Sequence, residues 1–389
     1  MRLKKNILLS TLSLALLSPL ALTQAAEQTT KSDETKLTYP TYKENETLVF
    51  RSGSFVRDGK KVTFFRDKYG VCQYRIPDMS VLPDGRLLAT IVCRCNKDGD
   101  HSISTTFFAV SNDEGKTWEK ITFSTDYKNI AGRPETDFPM TERTQESQVI
   151  WHPGMKQFVG VYLSKSKCWF VTSKDLKSWS KPVEAKIDMP EVKNYWPSPT
   201  SLQIDQDGSL LFAITGSLKE GGERMARLVW TKDLKNFEVS SLMPVKGNET
   251  AVIPVSNGKY FVTTRISPKR LNMTYNRKTN SWSDTTPFPQ PHTWRCEVDL
   301  ISDGKSLYLA TPTQSRTQGR LYRSDDEGKT WQEIAKLNGE GHFGYSALVV
   351  LKNGDIGILA ERGRQKQGNR MLLNDIVFQR VSSKGEDKK

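Results

Sequence analysis

The chain has 389 residues, with 57 Lys and Arg against 44 Asp and Glu for a net charge of +13. The hydrophobic fraction is 36 %, aromatics reach 10 % and no stretch sustains a 3.6-residue apolar period, which suits a large all-β fold with many short strands better than a helical bundle, so helices should be few. The positive residues are spread along the chain without a basic arm or helix, so a diffuse field that draws an acidic ligand fits better than a nucleic-acid footprint.

The first residues read as an export signal. Arg2, Lys4 and Lys5 make a basic start, residues 7–22 are apolar with serine breaks, and Thr23-Gln24-Ala25-Ala26 offers small residues for cleavage. A membrane span would need about 20 unbroken apolar residues. The expected organisation is a signal over 1–26, a leader over 27–44, one domain over 45–382 and a polar tail over 383–389. The mature chain is then secreted or periplasmic, with no stable membrane insertion, and its charge falls to about +10. Of the five cysteines, Cys72 is placed to bridge Cys93 or Cys95 in an exported protein, leaving an odd thiol with Cys168 and Cys296. Cys93-x-Cys95 with Asp98, Asp100 and His101 is a weak metal signal, and buried thiols are the simpler reading.

Along the chain one pattern recurs: an apolar strand, a turn ending in Gly, and a second apolar strand. It runs as "MSVLPDGRLLATIV", "SQVIWHPGMKQFVGVYL", "TSLQIDQDGSLLFAIT", "TAVIPVSNGKYFVTTR", "DLISDGKSLYLAT" and "SALVVLKNGDIGILAE". After a first gap of 69 residues the turn glycines Gly154, Gly208, Gly258, Gly304 and Gly354 follow at 54, 50, 46 and 50. Asp-Gly and Asn-Gly favour tight hairpins because both residues accept positive φ. A second hairpin follows nearly every first one, so each unit makes a four-stranded antiparallel sheet. Six units predict an all-β, six-bladed β-propeller, its last blade completed by "RMLLNDIVFQRV" and an N-terminal strand near "ETLVFRSG". Ser111-x-Asp113-x-Gly115-x-Thr117-Trp118 and Ser324-x-Asp326-x-Gly328-x-Thr330-Trp331 are Asp boxes. Their polar residues read as turn-formers, not as chemistry.

Tyr74-Arg75-Ile76-Pro77 followed by these Asp boxes resembles the sialidase (neuraminidase) family, bacterial exo-α-sialidases of the glycoside hydrolase family 33 type. The resemblance covers roughly residues 45–382. It implies a six-bladed propeller that holds a substrate carboxylate with three arginines. It also implies a tyrosine nucleophile paired with a glutamate, and an aspartate as acid/base. Arg75 matches the first arginine. In "NETAVIPVSNGKYFVTTR" Glu249 and Arg265 match the glutamate and the second arginine, 16 residues apart at the two ends of one hairpin. Arg316, eight residues before Ser324, matches the third. Its rivals Arg320 and Arg323 lie inside the strand, where alternation aims them at blade surfaces. Tyr345 in "GYSAL" matches the nucleophile, and Glu361 in "LAERG" matches the residue that braces Arg75.

The acid falls in "CRCNKDGDHSIS". Asp98 and Asp100 both qualify, and Asp100, 25 residues after Arg75, fits the family spacing better. To donate a proton it needs partial burial to raise its pKa. Arg94 matches a family arginine of the same loop. Trp151, Trp196 and Trp294 read as core residues or sugar platforms.

The chemistry agrees. Converging guanidiniums bind a carboxylate by charge-assisted bidentate bonds. A neutral phenol attacks the carbon beside that carboxylate without the repulsion an anionic nucleophile would meet. The expectation is a monomeric retaining exo-α-sialidase acting on sialylated glycans, without a metal or other cofactor. A glycosidase for a deaminated ulosonic acid, a trans-sialidase, and a non-catalytic propeller that binds acidic glycans are the alternatives.

Overall fold

β-Branched and aromatic residues between Gly-containing turns leave the backbone little but short antiparallel strands. The structure, a computed structural model, describes residues 37–121, 144–266, 270–289, 296–337 and 341–385. The signal, most of the leader and Trp294 lie outside these residues. Among the described residues helix is limited to one 3-10 turn, Ser256–Gly258.

Six antiparallel sheets follow one another in chain order within the unit Pro40–Lys389. Blade 1 holds Gln73–Val81, Leu87–Arg94, Ser104–Ser111 and Glu119–Ile121. Blade 2 holds Gln145–His152, Gln157–Ser164, Lys167–Ser173 and Val183–Glu184. In blade 3 the first strand is broken into Val192–Pro197 and Gln203–Ile204, followed by Leu210–Leu218, Arg224–Thr231 and Glu238–Val239. Blade 4 is Asn248–Pro254, Lys259–Arg265, Arg270–Asn276 and Ser281–Trp282, and blade 5 is Leu300–Ser302, Leu307–Gln314, Thr317–Ser324 and Gln332–Lys336. Blade 6 joins Phe343–Val350, Ile356–Arg362 and Asp375–Val381 to the N-terminal Glu46–Phe50, with Glu46 opposite Gln379.

One expectation is corrected. "RMLLNDIVFQRV" is two strands: Asp375–Val381 belongs to blade 6, while Arg370–Leu372 leaves it. The latter joins a small seventh sheet with Gln365–Gln367, Ser54–Asp58 and Lys61–Phe65. Phe55 and Phe64 pack against each other in a tilted pair at 5.5 Å, which gives these otherwise exposed hairpins something to bury.

The ring closes by packing. An apolar cluster joins each blade to the next, and the sixth cluster packs Ala347, Val349, Leu359 and Phe378 of blade 6 against Leu87, Ala89 and Phe107 of blade 1. The Asp boxes sit on these seams. Asp113 accepts from Thr117 N at 2.8 Å, Gly115 N donates to Ser111 Oγ at 2.7 Å, and Trp118 lies 5.5 Å from Phe378 of the preceding blade. The same contact recurs as Trp331 on Phe261 (5.7 Å), Trp179 on Phe108 (5.5 Å) and Phe237 on Phe170 (6.0 Å). The last two belong to degenerate boxes in which Leu176 and Leu234 stand at the glycine position and still hold φ of 64° and 60°.

Side chains also stitch the first strands, whose channel-side edges have no ladder partner. Asp78 of blade 1 accepts Val149 N of blade 2 (3.1 Å), and Gln148 of blade 2 accepts Ser201 N beside blade 3 (2.7 Å). Ser198 accepts Thr250 N of blade 4 (3.1 Å), and Asp299 beside blade 5 accepts Leu348 N of blade 6 (2.6 Å). Glu361 of blade 6 accepts Ile76 N of blade 1 (2.9 Å).

All five cysteines are free and buried, so the bridge from Cys72 is not formed. The Cys72 thiol donates to the Cys95 carbonyl at 3.1 Å instead, and burial pushes Cys72 up to about 11 and Cys95 up to about 12.

Gly115 combines φ of +91° with a Cβ direction that ends 2.0 Å from the Phe378 ring. Gly115→Ala is therefore expected to lower unfolding free energy by about 2–4 kcal/mol through backbone strain and overpacking at the closing seam. Urea titration of the variant against the parent measures it.

Candidate active site

At one end of the channel the first strands bulge, and the bulges aim side chains inward. Register shifts fall between Arg75 and Asp78, Gln145 and Gln148, Asn248 and Thr250, and Phe343 and Ser346. Residues at three of these bulges hold positive φ: Ile76 at 51°, Glu146 at 52° and Glu249 at 51°. A β-branched or long side chain at such an angle is a strained exception, of the kind found at sheet rims beside functional sites. The bulges face a cavity of 660 Å³ lined by Arg75, Arg94, Glu249, Arg265, Arg316 and Tyr345 together with Asp98 and Asp100. Every site residue expected from sequence lines it except Glu361, which stands directly behind Arg75.

The centre is Tyr345. Its hydroxyl donates to Glu249 Oε1, Arg265 Nη1 donates to Glu249 Oε2, and the same Arg265 nitrogen lies 3.2 Å from the phenol oxygen. Burial and the adjacent Glu249 raise the phenol well above its usual range, so it stands neutral in the free protein. The guanidiniums of Arg75 and Arg316 lie 5.2 and 5.0 Å from the ring centroid. Three arginines from blades 1, 4 and 5 thus converge on one tyrosine of blade 6.

Arg75 is held from behind. Its Nε donates to Glu361 Oε1 at 2.5 Å, and Asn374 Nδ2 donates to Glu361 Oε2 at 3.0 Å. Burial of Glu361 raises its pKa, but Arg75 and then Arg316 outweigh that and leave it below the usual carboxylate range. The space for this carboxylate comes from Gly344, where a Cβ would meet Glu361 Oε2 at 2.3 Å. Arg320 and Arg323 point away, as alternation requires, and pair with Glu333 (3.3 Å) and Asp325 (2.7 Å).

The acid departs from expectation. Asp100 is not partly buried: its side chain is 81 % exposed and paired at 2.6 Å with Arg94, which is 2 % exposed. Asp98 pairs with Arg364 at 3.5 Å while its carbonyl accepts from Arg94 Nη1 at 2.8 Å. The loop 95–103 is pinned at its base by Asn96, so both aspartates stand at the open mouth. Among the described residues no cluster of three or more His, Cys, Asp or Glu side chains is arranged to hold a metal.

Other residues complete the lining. Trp196 forms part of its wall, with the Arg224 guanidinium 5.5 Å over the indole, while Trp151 packs into the core against Phe158 at 5.0 Å. Glu146 lines it from blade 2. A signal for Glu146 was present in the repeat: Gln145-Glu146-Ser147-Gln148-Val149-Ile150 and Asn248-Glu249-Thr250-Ala251-Val252-Ile253 share the pattern amide-Glu-hydroxyl-x-Val-Ile.

An all-β propeller with an arginine-clamped tyrosine at its mouth defines a sialidase-type propeller. The chain belongs to the BNR repeat-like family, whose model matches residues 139–358. A sialidase of Paraclostridium sordellii is 23 % identical over 303 residues, covering 72 % of this chain and 64 % of that one. Kelch-like protein 40 of Xenopus laevis is 25 % identical over 210 residues, 47 % of this chain and 33 % of that one. The chain thus spans less than two thirds of the length of either relative. Among solved structures, the Hadza microbial sialidase Hz136 superposes with a TM-score of 0.67 at 20 % identity, over 81 % of this chain and 66 % of that one. The intramolecular trans-sialidase of Ruminococcus gnavus superposes with a TM-score of 0.61 at 13 % identity, over 85 % and 99 %.

Removing Glu361 leaves the Arg75 guanidinium buried without its counter-charge. Glu361→Ala is expected to cost about 3–5 kcal/mol. Because the folded carboxyl is held below its usual value, its contribution is present above the unfolded pKa and lost as pH falls through the folded one. The parent's acid-side loss of stability, followed by urea midpoints across pH, is therefore expected to flatten in the variant.

Proposed function

We propose that the protein is a retaining exo-α-sialidase that releases terminal sialic acids from glycans outside the cytoplasm. The observation that carries this reading is the unit of Tyr345, Glu249 and Arg265 under the guanidiniums of Arg75 and Arg316. A sialic acid bears its carboxylate on the anomeric carbon, so a clamp of three arginines beside a neutral phenol is matched to that carbon. The export signal and the relatives named sialidases support the reading.

In the first step the Tyr345 oxygen bonds to the anomeric carbon while its proton passes to Glu249 Oε1. The glycosidic carbon–oxygen bond breaks, and the leaving oxygen takes a proton from Asp100. In the second step Asp100 removes a proton from water, the water oxygen bonds to the anomeric carbon, and the tyrosyl oxygen leaves with the proton held by Glu249. Two displacements retain configuration. Asp100 is exposed in the free protein, so closing of the mouth by the bound glycan would supply the desolvation its role needs.

Release of a fluorophore from an α-sialoside tests the proposal. The parent is expected to turn over, with the α-anomer appearing first by proton NMR. Tyr345→Phe and Arg316→Ala are each expected to lose about 10²-fold or more in kcat/KM. A folded parent without turnover on sialosides of any linkage would overturn it, and an anhydro product would move the reading to an intramolecular transfer.

A further inference from the structure

Glu146 and Glu249 occupy equivalent places in blades 2 and 4. Each follows an amide residue, sits at a first-strand bulge, holds φ near 51–52° and lines the same cavity. Their surroundings differ. Glu249 has both oxygens engaged, by Tyr345 and Arg265. Glu146 Oε2 is buried without a hydrogen-bond partner. An ionised oxygen left so would carry a penalty of several kcal/mol, and strain of about 1–3 kcal/mol is retained to keep the side chain there.

Charges around Glu146 add to the case. Glu249 from blade 4 and Asp100 from the blade 1 loop both raise it, opposed more weakly by Arg94 and Arg75 of blade 1, and Glu146 in turn bears on Tyr345 of blade 6. Burial, then Glu249 and Asp100, push its carboxyl up to about 8. A cavity that already holds Glu249 to receive a proton gains nothing from another bare carboxylate facing an anionic sugar. A neutral acid there has one hydrogen to give.

Resting on the sialidase reading for the identity of its ligand, we propose that Glu146 is a substrate-contacting residue that meets the sugar as an uncharged carboxylic acid. It donates its single hydrogen to an acceptor oxygen of the sugar, a hydroxyl or an acylamino carbonyl. The contact orients the ring against the clamp of Arg75, Arg265 and Arg316. Since the acid is uncharged below about pH 8 and ionised above it, the hydrogen is lost as pH rises through that value. Two acceptor oxygens then face each other with no hydrogen between them, and the contact is lost.

The test has two arms. Infrared difference spectra of the ligand-free parent, taken on either side of pH 8, are expected to show a protonated carboxylic acid carbonyl on the acid side only. Asp299, pushed up to about 8 by burial, contributes to that band in both proteins, so the part lost in Glu146→Gln is the part assigned to Glu146, with folding of each protein checked by circular dichroism. In kinetics on an α-sialoside, Glu146→Ala is expected to lower kcat/KM about 10- to 100-fold below pH 8. Glu146→Gln, which keeps a donor on the same stem, is expected to recover most of that loss and to flatten the alkaline fall of the parent. No band assignable to Glu146, or a Gln variant as impaired as Ala with the alkaline fall unchanged, overturns the proposal. If the parent has no sialosidase activity while Tyr345→Phe and the parent are equally folded, the function reading fails alone, and the infrared arm still decides whether Glu146 holds its proton.

Discussion

The contact between Arg75 and Glu361 is where fold and site become one structure. Glu361 lies in blade 6, the blade assembled from both ends of the domain, and its carboxylate accepts both the Arg75 side chain and the Ile76 backbone of blade 1. One carboxylate therefore ties blade 6 to blade 1 across the closing seam and holds Arg75. Gly344 is small because that carboxylate passes over it, and the next residue is Tyr345. The position of Tyr345 thus depends on the same close approach. A buried ion pair of this kind adds little net stability over an apolar pair, but losing one partner is severe.

A propeller has a particular problem: the first strand of each blade has an edge that no strand covers. This molecule answers it with side chains from neighbouring blades, such as Asp78, Gln148, Asp299 and Glu361. The bulges that interrupt the first strands at the cavity end turn the problem to use. They aim Glu146 and Glu249 inward on strained backbone while the Asp boxes hold the seams outside. Packing at the seams holds a tyrosine, a glutamate and three arginines from four different blades around one cavity.

Much of this was legible in the sequence. The turn glycines set the period, so the blade count followed from spacing. Glu249 and Arg265 could be paired because a hairpin of that length returns its ends together. Less was legible where the outcome depends on distant segments. The seventh sheet joins 54–65 to 365–372, and neither hairpin has a pattern that names the other. Spacing picks out Asp100 as the acid, and its role would require partial burial, but exposure of a loop is set by what covers it. The degenerate boxes were harder still, since Leu176 and Leu234 bear positive φ where Gly was the expected signal. Glu146 was written in the repeat itself, as an echo of Glu249, and became visible only once both were seen at the same bulge.

The central claim is that Tyr345 forms a bond to the anomeric carbon. A sialosyl fluoride carrying a second fluorine beside that carbon would slow both steps while keeping a good leaving group, so the covalent intermediate accumulates. Intact mass and peptide mapping of the treated protein would then read the bonded residue. The account predicts one added sialosyl group on the peptide containing Tyr345, absent in Tyr345→Phe. An adduct on Glu249 instead, or steady turnover of α-sialosides with no adduct and inverted product, would contradict it.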